Sequence, residues 1–232
     1  MPDWRRPTNT CGVLKHIILG IIVGSFLSFL CCGSGFAGGE YTGVSTETRP
    51  APSDRFDRGR TELEIVTGAV FSPIEWDIFP VQDETLNYTE SQLRFGWMLN
   101  DPFENAGCFR GNFEFMLGLG GGGVIDGPGS GFGNFDLLLR YNFVQPRAVI
   151  VPYFQIGAGV FVSDISNDEN QRTIGGTVEA DLQSSLGFRF LLNRDWSLNA
   201  EGIYQHVSNA NTSDRNVGLN ALGGLLGFSR AF

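Results

Sequence analysis

The sequence predicts an all-β fold, an eight-stranded antiparallel outer-membrane β-barrel. Three observations carry the prediction. From residue 61 to the carboxy terminus, stretches in which apolar side chains recur at every second position follow one another, the period of a strand with two unlike faces. In the same region no window of useful length has the apolar spacing of an amphipathic helix. The chain is also rich in phenylalanine (20) and glycine (32) and poor in charge (18%), which suits strands facing an apolar medium.

The amino-terminal region comes first in the chain and is set apart from this pattern. Arg5, Arg6 and Lys15 precede an apolar run of 16 residues, Ile17 to Cys32, and Gly35 and Ala37 supply small residues for cleavage. That order reads as a signal peptide over 1–37. A transmembrane helix needs about 20 apolar residues, more than this run supplies. Lipidation is disfavoured because Leu30, not a small residue, precedes Cys31. Removal of the segment takes away Arg5, Arg6 and Lys15 against Asp3, so the formal charge moves from −9 to −11 and no lysine remains. Such an acidic surface argues against nucleic acid as a partner. Cys108 is then the one cysteine left, so no intrachain disulfide can form and the fold must hold by packing and hydrogen bonds. Residues 38–60 carry Pro, Ser and Arg without an apolar period and are expected to be a flexible lead-in to a barrel over 61–232.

The eight expected strands run over 61–72, 87–99, 109–119, 132–144, 149–162, 173–192, 195–208 and 218–232. In the third, Phe109, Phe113, Phe115, Leu117 and Leu119 share one parity, and Arg110, Asn112 and Glu114 the other. The fourth sets Phe135, Leu137, Leu139, Tyr141 and Phe143 against Asn134, Asp136, Arg140 and Asn142. In the sixth, Ile174, Val178, Ala180, Leu182, Leu186, Phe188 and Phe190 oppose Thr173, Thr177, Glu179, Asp181, Gln183 and Arg189. The last strand places Leu222, Leu226, Phe228 and Phe232 on one parity, interrupted by Arg230.

Parity alone does not say which face meets water. A soluble barrel turns its apolar face inward, a membrane barrel outward over a polar interior. The links decide for the membrane. "PIEWDIFPVQDETL", "GGGGVIDGPGSG", "SDISNDENQR" and "NANTSDRNV" are long, whereas "DPFENAGC", "VQPRA" and "NRD" are shorter. Long loops at one end and short turns at the other is the outer-membrane arrangement, with both termini at the short-turn end.

Few motifs point to chemistry. "GLGGGG" from Gly118 satisfies G-x-G-x-x-G, but a strand follows it instead of a helix whose amino terminus could hold a phosphate. No G-x-S-x-G elbow occurs. The acidic group Asp164, Asn167, Asp168 and Glu169 lacks the central glycine of a calcium loop. No metal ion or organic cofactor is expected, and Cys108 reads as a small apolar residue near an inner turn.

The hairpin of strands seven and eight differs. His206, the one histidine beyond the leader, and Ser208 share the outward parity of Trp196, Leu198, Ala200, Gly202 and Tyr204, at the strand's end. Asn220 shares the outward parity of Leu222 and begins the next strand. The hairpin thus gathers His206, Ser208 and Asn220 on the outer wall at the long-loop rim. A serine hydroxyl needs an adjacent base to become a nucleophile, and imidazole needs a third group to hold its other nitrogen. His and Ser at a strand rim are also common as interfacial polar residues, so the pattern alone leaves catalysis and plain interfacial polarity both open.

"HVSNANTSDRNVGLN" followed by "ALGGLLGFSRAF" resembles the carboxy-terminal signature of the outer-membrane lipid A 3-O-deacylases, the PagL or acyloxyacyl hydrolase family. The resemblance implies His206 as general base, Ser208 as nucleophile and Asn209 as a contributor to the oxyanion hole. Asn216 and Gly218 match the family's Asn-x-Gly element, with a structural role in the loop. The family triad has a glutamate where this chain has Asn220, and the usual glycine after Ser-Asn-Ala is Asn211. An asparagine can accept the imidazole N–H but cannot stabilise imidazolium by charge, and the comparable Asp-to-Asn change in a serine protease costs roughly 10⁴ in rate. Asp214, in the same loop, is the acidic alternative; Glu201 has the opposite parity and should face the interior. The expected function is hydrolysis of an ester-linked acyl chain of lipopolysaccharide at the outer leaflet of the outer membrane, by a monomer or a homodimer. The alternative is a non-catalytic small barrel with a structural or surface-binding role.

Overall fold

The computed structural model describes residues 52–72, 84–210, 212, 214–215 and 217–232. The expected signal peptide, most of the first long loop, and Asn211 and Asn216 lie outside the described residues. Eight antiparallel strands close into one barrel, each paired with its sequence neighbours and the last with the first. They are β1 (Thr61–Phe71), β2 (Asn87–Met98), β3 (Asn112–Asp126), β4 (Gly131–Asn142), β5 (Ile150–Ser163), β6 (Val178–Leu191), β7 (Trp196–Ser208) and β8 (Leu219–Ala231). Strands of 11 to 15 residues reach or exceed the 9–11 or so that a tilted strand needs to cross a bilayer core. Side chains alternate as the parity requires: Leu63, Ile65, Leu93, Phe135, Leu137, Leu139, Phe154, Ile156, Leu182, Leu198, Leu226 and Phe228 stand exposed on the outside. An apolar wall of that extent on a closed barrel is a surface made for lipid.

The interior is polar along much of its length, with a charged layer in its middle. Arg94 makes a two-pronged pair with Glu201 (2.9 and 3.0 Å), Arg140 meets Glu64 at 2.7 Å and Arg189 meets Glu62 at 2.7 Å. Tyr153 donates to Glu201 at 2.8 Å and lays its ring 4.2 Å under Arg140. These groups are buried, so each charge is tolerable only because opposite charge and hydrogen bonds replace the lost water. Above this layer Val66, Val70, Tyr88, Phe161, Ile203, Val207, Leu219 and Leu225 form an apolar cluster, and below it Phe56, Met98, Val144 and Val151 form another. The expected polar interior is present; small barrels have room for packed side chains, and apolar ones join the polar groups toward both ends.

Three expected elements differ in extent. β3 continues to Asp126, so the glycine-rich link becomes a tight turn over 127–130 instead of a long loop. Gly120–Gly123 pair with β4, and a Cβ at Gly122 would run into the Thr89 carbonyl; only glycine lets the strand pass so close to β2. β6 begins at Val178, not 173. Gln171 bonds both the N–H and the carbonyl of Ile174 (2.9 and 2.6 Å), turning the chain so that Ile174 drops into the upper apolar cluster. Finally, the described part of the lead-in is packed. Residues Pro52–Phe56 form a 3-10 turn whose Arg55 bonds Glu62 and the hydroxyls of Ser197 and Ser229 (both 3.0 Å), while Phe56 is fully buried. A buried cation with ready acceptors outweighs the missing apolar period. Arg230, which interrupts the last strand's pattern, sits over Trp196 (5.2 Å) and Phe232 (5.0 Å), so its charge is held on aromatic faces at the barrel's lower rim.

Candidate active site

The β7–β8 register places His206 directly opposite Asn220. Both lie on outward parity, at the barrel end that bears links 72–86, 164–177 and 209–218. His206 Nδ1 is 2.8 Å from Asn220 Oδ1. The hydroxyl of Tyr204 donates to the same oxygen at 2.9 Å, and Ser72 donates to the Asn220 carbonyl at 2.9 Å. Held this way, Asn220 is only 1% exposed despite its outward parity. A carbonyl oxygen as partner suits a hydrogen on Nδ1, and in the neutral ring that tautomer leaves the lone pair on Nε2, as a general base needs.

Ser208 stands two residues beyond His206 on the same face and is half-buried. No hydrogen bond joins the two side chains among the described residues. What they share is Gly218. Its φ is +79°, and a Cβ built there would lie 3.3 Å from His206 Cε1 and 3.7 Å from Ser208 Cβ. The loop therefore passes close over both side chains, and the left-handed backbone makes glycine the residue that fits.

The loop is anchored from several sides. Gly218 N–H donates to the Thr173 carbonyl (3.1 Å) and Val217 N–H to the Arg172 carbonyl (3.3 Å), tying it to link 164–177. Arg215 donates to the carbonyls of Asp168 (3.0 Å) and Ser166 (3.1 Å). Asp164 in turn accepts from the Ser130 and Gly131 N–H groups (2.8 and 3.3 Å) and from the Ser130 hydroxyl, which holds its carboxyl down at about 2. The acidic group of link 164–177 is thus a brace between the turn at 127–130 and the β7–β8 loop.

The other sequence-derived candidates fall as follows. Asn209 is 6% exposed, and its side-chain amide donates to the Arg215 carbonyl at 3.0 Å. Asp214 is exposed in the loop, and Nδ1 of His206 is held by Asn220. Glu201 faces the interior and is committed to Arg94. Asn216 is outside the described residues. Two residues were missed, Tyr204 and Ser72. Tyr204 could have been found: it shares the parity of His206 one step down the strand, within reach of a side chain at position 220.

Compared with known proteins, the chain matches the family model described as "Lipid A 3-O-deacylase (PagL)" over residues 75–229. No curated protein matches it. Among solved structures its fold is similar to Neisserial surface protein A, at a TM-score of 0.53 and 13% identity, over 75% of this chain and 97% of that one. It is also matched to the outer membrane enzyme PagL (TM-score 0.48, 16% identity, 70% and 97% covered). A third match is the amino-terminal β-barrel domain of Pseudomonas aeruginosa OprF (TM-score 0.49, 14% identity, 75% and 98% covered).

Proposed function

The chain belongs to the lipid A 3-O-deacylase (PagL) family, and from that premise we propose that it is a serine-type hydrolase of the outer membrane. Its substrate is an ester-linked acyl chain of lipid A in the outer leaflet. The observation that carries the reading is the His206 Nδ1 to Asn220 Oδ1 contact of 2.8 Å, placed on the lipid-facing wall with Ser208 beside it.

In the proposed reaction His206 Nε2 takes the proton of Ser208 as its Oγ attacks the ester carbonyl. The tetrahedral intermediate collapses, the sugar oxygen leaves with the proton from His206, and the acyl group stays on Ser208. Water, deprotonated by the same nitrogen, then releases the fatty acid and restores the serine. Asn209 contributes to the oxyanion hole through its main-chain N–H, because its side-chain amide is already engaged in the loop. Asn216 and Gly218 shape that loop. The acyl chain lies along the apolar wall, so the ester reaches Ser208 without leaving the membrane.

A second reading, a non-catalytic small barrel, is favoured by one observation: the partner of Nδ1 is a carboxamide where the family has a carboxylate. Mass spectrometry of lipid A from cells with and without the protein separates the two. Loss of one ester-linked acyl chain only with the parent, and not with Ser208→Ala or His206→Ala, supports the hydrolase. Unchanged lipid A in all of them would refute it.

A further inference from the structure

Arg172 has no part in the proposed reaction, yet the fold holds it at the edge of the site. Gln171 and Thr173 on either side of it are buried (2% and 3% exposed). The Gln171 side chain bonds the N–H and the carbonyl of Ile174, which is itself packed in the upper apolar cluster. Of these four residues Arg172 alone is exposed. Its carbonyl accepts from Val217 N–H at 3.3 Å, and the Thr173 carbonyl accepts from Gly218 N–H at 3.1 Å. A cation on a fixed backbone thus stands across one hydrogen bond from the residue next to Gly218, the glycine that lies against His206 and Ser208. Its guanidinium makes no hydrogen bond or ion pair among the described residues. We infer that Arg172 is a specificity-determining residue, which takes the phosphate of the sugar whose ester lies at Ser208. The inference rests on the proposed reading of Ser208 as nucleophile and of lipid A as substrate.

The charge around it gives the reason. The links at this end of the barrel, 72–86, 127–130, 164–177 and 209–218, carry eight carboxylates against two cations, Arg172 and Arg215. An anionic substrate is repelled by such a rim except where a cation faces it. Arg215 is committed to the carbonyls of Ser166 and Asp168, which leaves Arg172 to meet an incoming anion. Lipid A carries phosphate on the same sugars that carry its ester-linked acyl chains. A guanidinium fits a phosphate by two parallel N–H donors as well as by charge. A sugar ring is comparable in width to the gap of about 5 Å between two hydrogen-bonded backbones, so with the ester at Ser208 its phosphate comes within the sweep of the Arg172 side chain. The apolar wall below holds the acyl chain. The arginine above then fixes which way round the sugar lies, and hence which ester reaches Ser208.

The test uses the full chain in detergent micelles, with lipid A and with the same lipid stripped of its phosphates. The parent should release fatty acid from the phosphorylated substrate with a kcat/KM higher by about tenfold or more, the worth of one charge-assisted hydrogen bond. Arg172→Gln should narrow that preference to less than about twofold, by a loss on the phosphorylated substrate. Arg172→Lys, which keeps the charge without the fork, should retain part of it. Equal losses on both substrates would mark a structural role and overturn the inference, as would a parent without preference. A preference present in vesicles of anionic lipid and absent in micelles also overturns it, since the phosphate would then belong to a neighbouring molecule. Ser208→Ala separates the inference from the reaction. Its binding of the two lipids, read by titration calorimetry, should show the same preference, and adding Arg172→Gln should abolish it. If that holds while no protein releases fatty acid, the hydrolase reading falls and the phosphate site stands. If Ser208→Ala binds both lipids alike, the inference is overturned whatever the activity.

Discussion

Asn220→Asp is the most informative single change, because it replaces NH₂ by oxygen and leaves every other atom in place. The acceptor already stands 2.8 Å from His206 Nδ1, so the variant differs from the parent in one quantity, a full negative charge beside the ring on which positive charge develops. With the charge of the imidazolium spread over its ring, the separation of centres is about 4 Å. At an effective dielectric of about 20 the attraction is then about 4 kcal/mol. That corresponds to about three decades in rate if all of it is realised in the transition state. Asn220 is buried, so the new carboxylate loses hydration that offsets part of this attraction, and a gain of about 10²-fold in kcat is the expected result. Asn220→Glu, the residue implied by the family resemblance, should also gain, but less predictably, since its extra methylene must be accommodated beside Tyr204. The assay is fatty acid release from lipid A in detergent micelles, read by mass spectrometry under single-turnover conditions. Asn220→Asp no faster than the parent, together with Asn220→Ala equal to it, would refute the reasoning that Asn220 orients the base. If Asp214→Asn were the damaging change instead, the partner would be in the loop.

Other consequences reach beyond the hairpin. Glu201→Ala should destabilise the barrel by about 3–5 kcal/mol, because it strands the Arg94 guanidinium without its two-pronged partner in a site closed to water; urea unfolding in lipid vesicles measures this, and a loss below about 1 kcal/mol would contradict the buried pairing. Gly218→Ala should leave the barrel folded yet slow acyl release at least tenfold, since a side chain at φ +79° is strained and its Cβ would press on His206; wild-type turnover would argue against the closeness of the loop. The brace at Asp164 gives a pH dependence of definite sign. Its carboxyl is held at about 2 by the Ser130 hydroxyl and by the N–H groups of Ser130 and Gly131, below the roughly 3.9 of a free aspartate. Its stabilisation is therefore fully present above about pH 4 and lost as pH falls toward 2. Hydrogen exchange at the Ser130 and Gly131 amides should accelerate over that interval, and Asp164→Asn should remove the dependence.

Much of the barrel was legible in the sequence because one binary choice, inward or outward, recurs at every strand residue. Phe135, Leu137 and Leu139 against Asp136 and Arg140 needed only parity to be placed, and the outward direction of His206 followed from Leu198 on the same strand. What parity could not reach were residues whose position is set by a distant partner. Arg55 lies in a stretch without any period and is held by Glu62, Ser197 and Ser229. Ile174 matches the outward parity of β6 but leaves the strand because Gln171 turns the backbone first. The glycine run read as a loop by composition, since glycine is common in turns; its extended path is dictated by the closeness of β2, a fact about the neighbouring strand. At the site, the gathering of His206 and Asn220 was readable from the hairpin, whereas the hydroxyl of Tyr204 and the hold of Ser72 on the Asn220 carbonyl depend on directions of side chains that parity does not give.

The charged interior and the outer site are linked by register. Side chains on a strand alternate with a period of two, so a slip of one residue between β7 and β8 would carry His206 away from Asn220 and turn one of them into the lumen. On the outer face the stack of Trp196 on Phe228 at 4.8 Å and the bonds of Tyr204 and His206 to Asn220 oppose such a slip, while Ala200, Gly202, Leu222, Gly224 and Leu226 between them offer lipid a smooth surface. The inner face opposes it strongly. Ser197 and Ser229 stand opposite each other and share a hydrogen bond of 2.6 Å, and the single guanidinium of Arg55 bonds both. Asn199 reaches Glu64 and Ser229, and Gln205 is fixed between Tyr88 and Asp181. Shifting β7 against β8 by one position would place apolar side chains among these charges and leave the charges facing lipid. The cost of such a slip, several unpaired buried ions, is far beyond anything the outer wall could return. The polar layer of the lumen lies on the inner face of the wall, yet it helps to set the imidazole of His206 opposite the carboxamide of Asn220 at the other end of the same two strands.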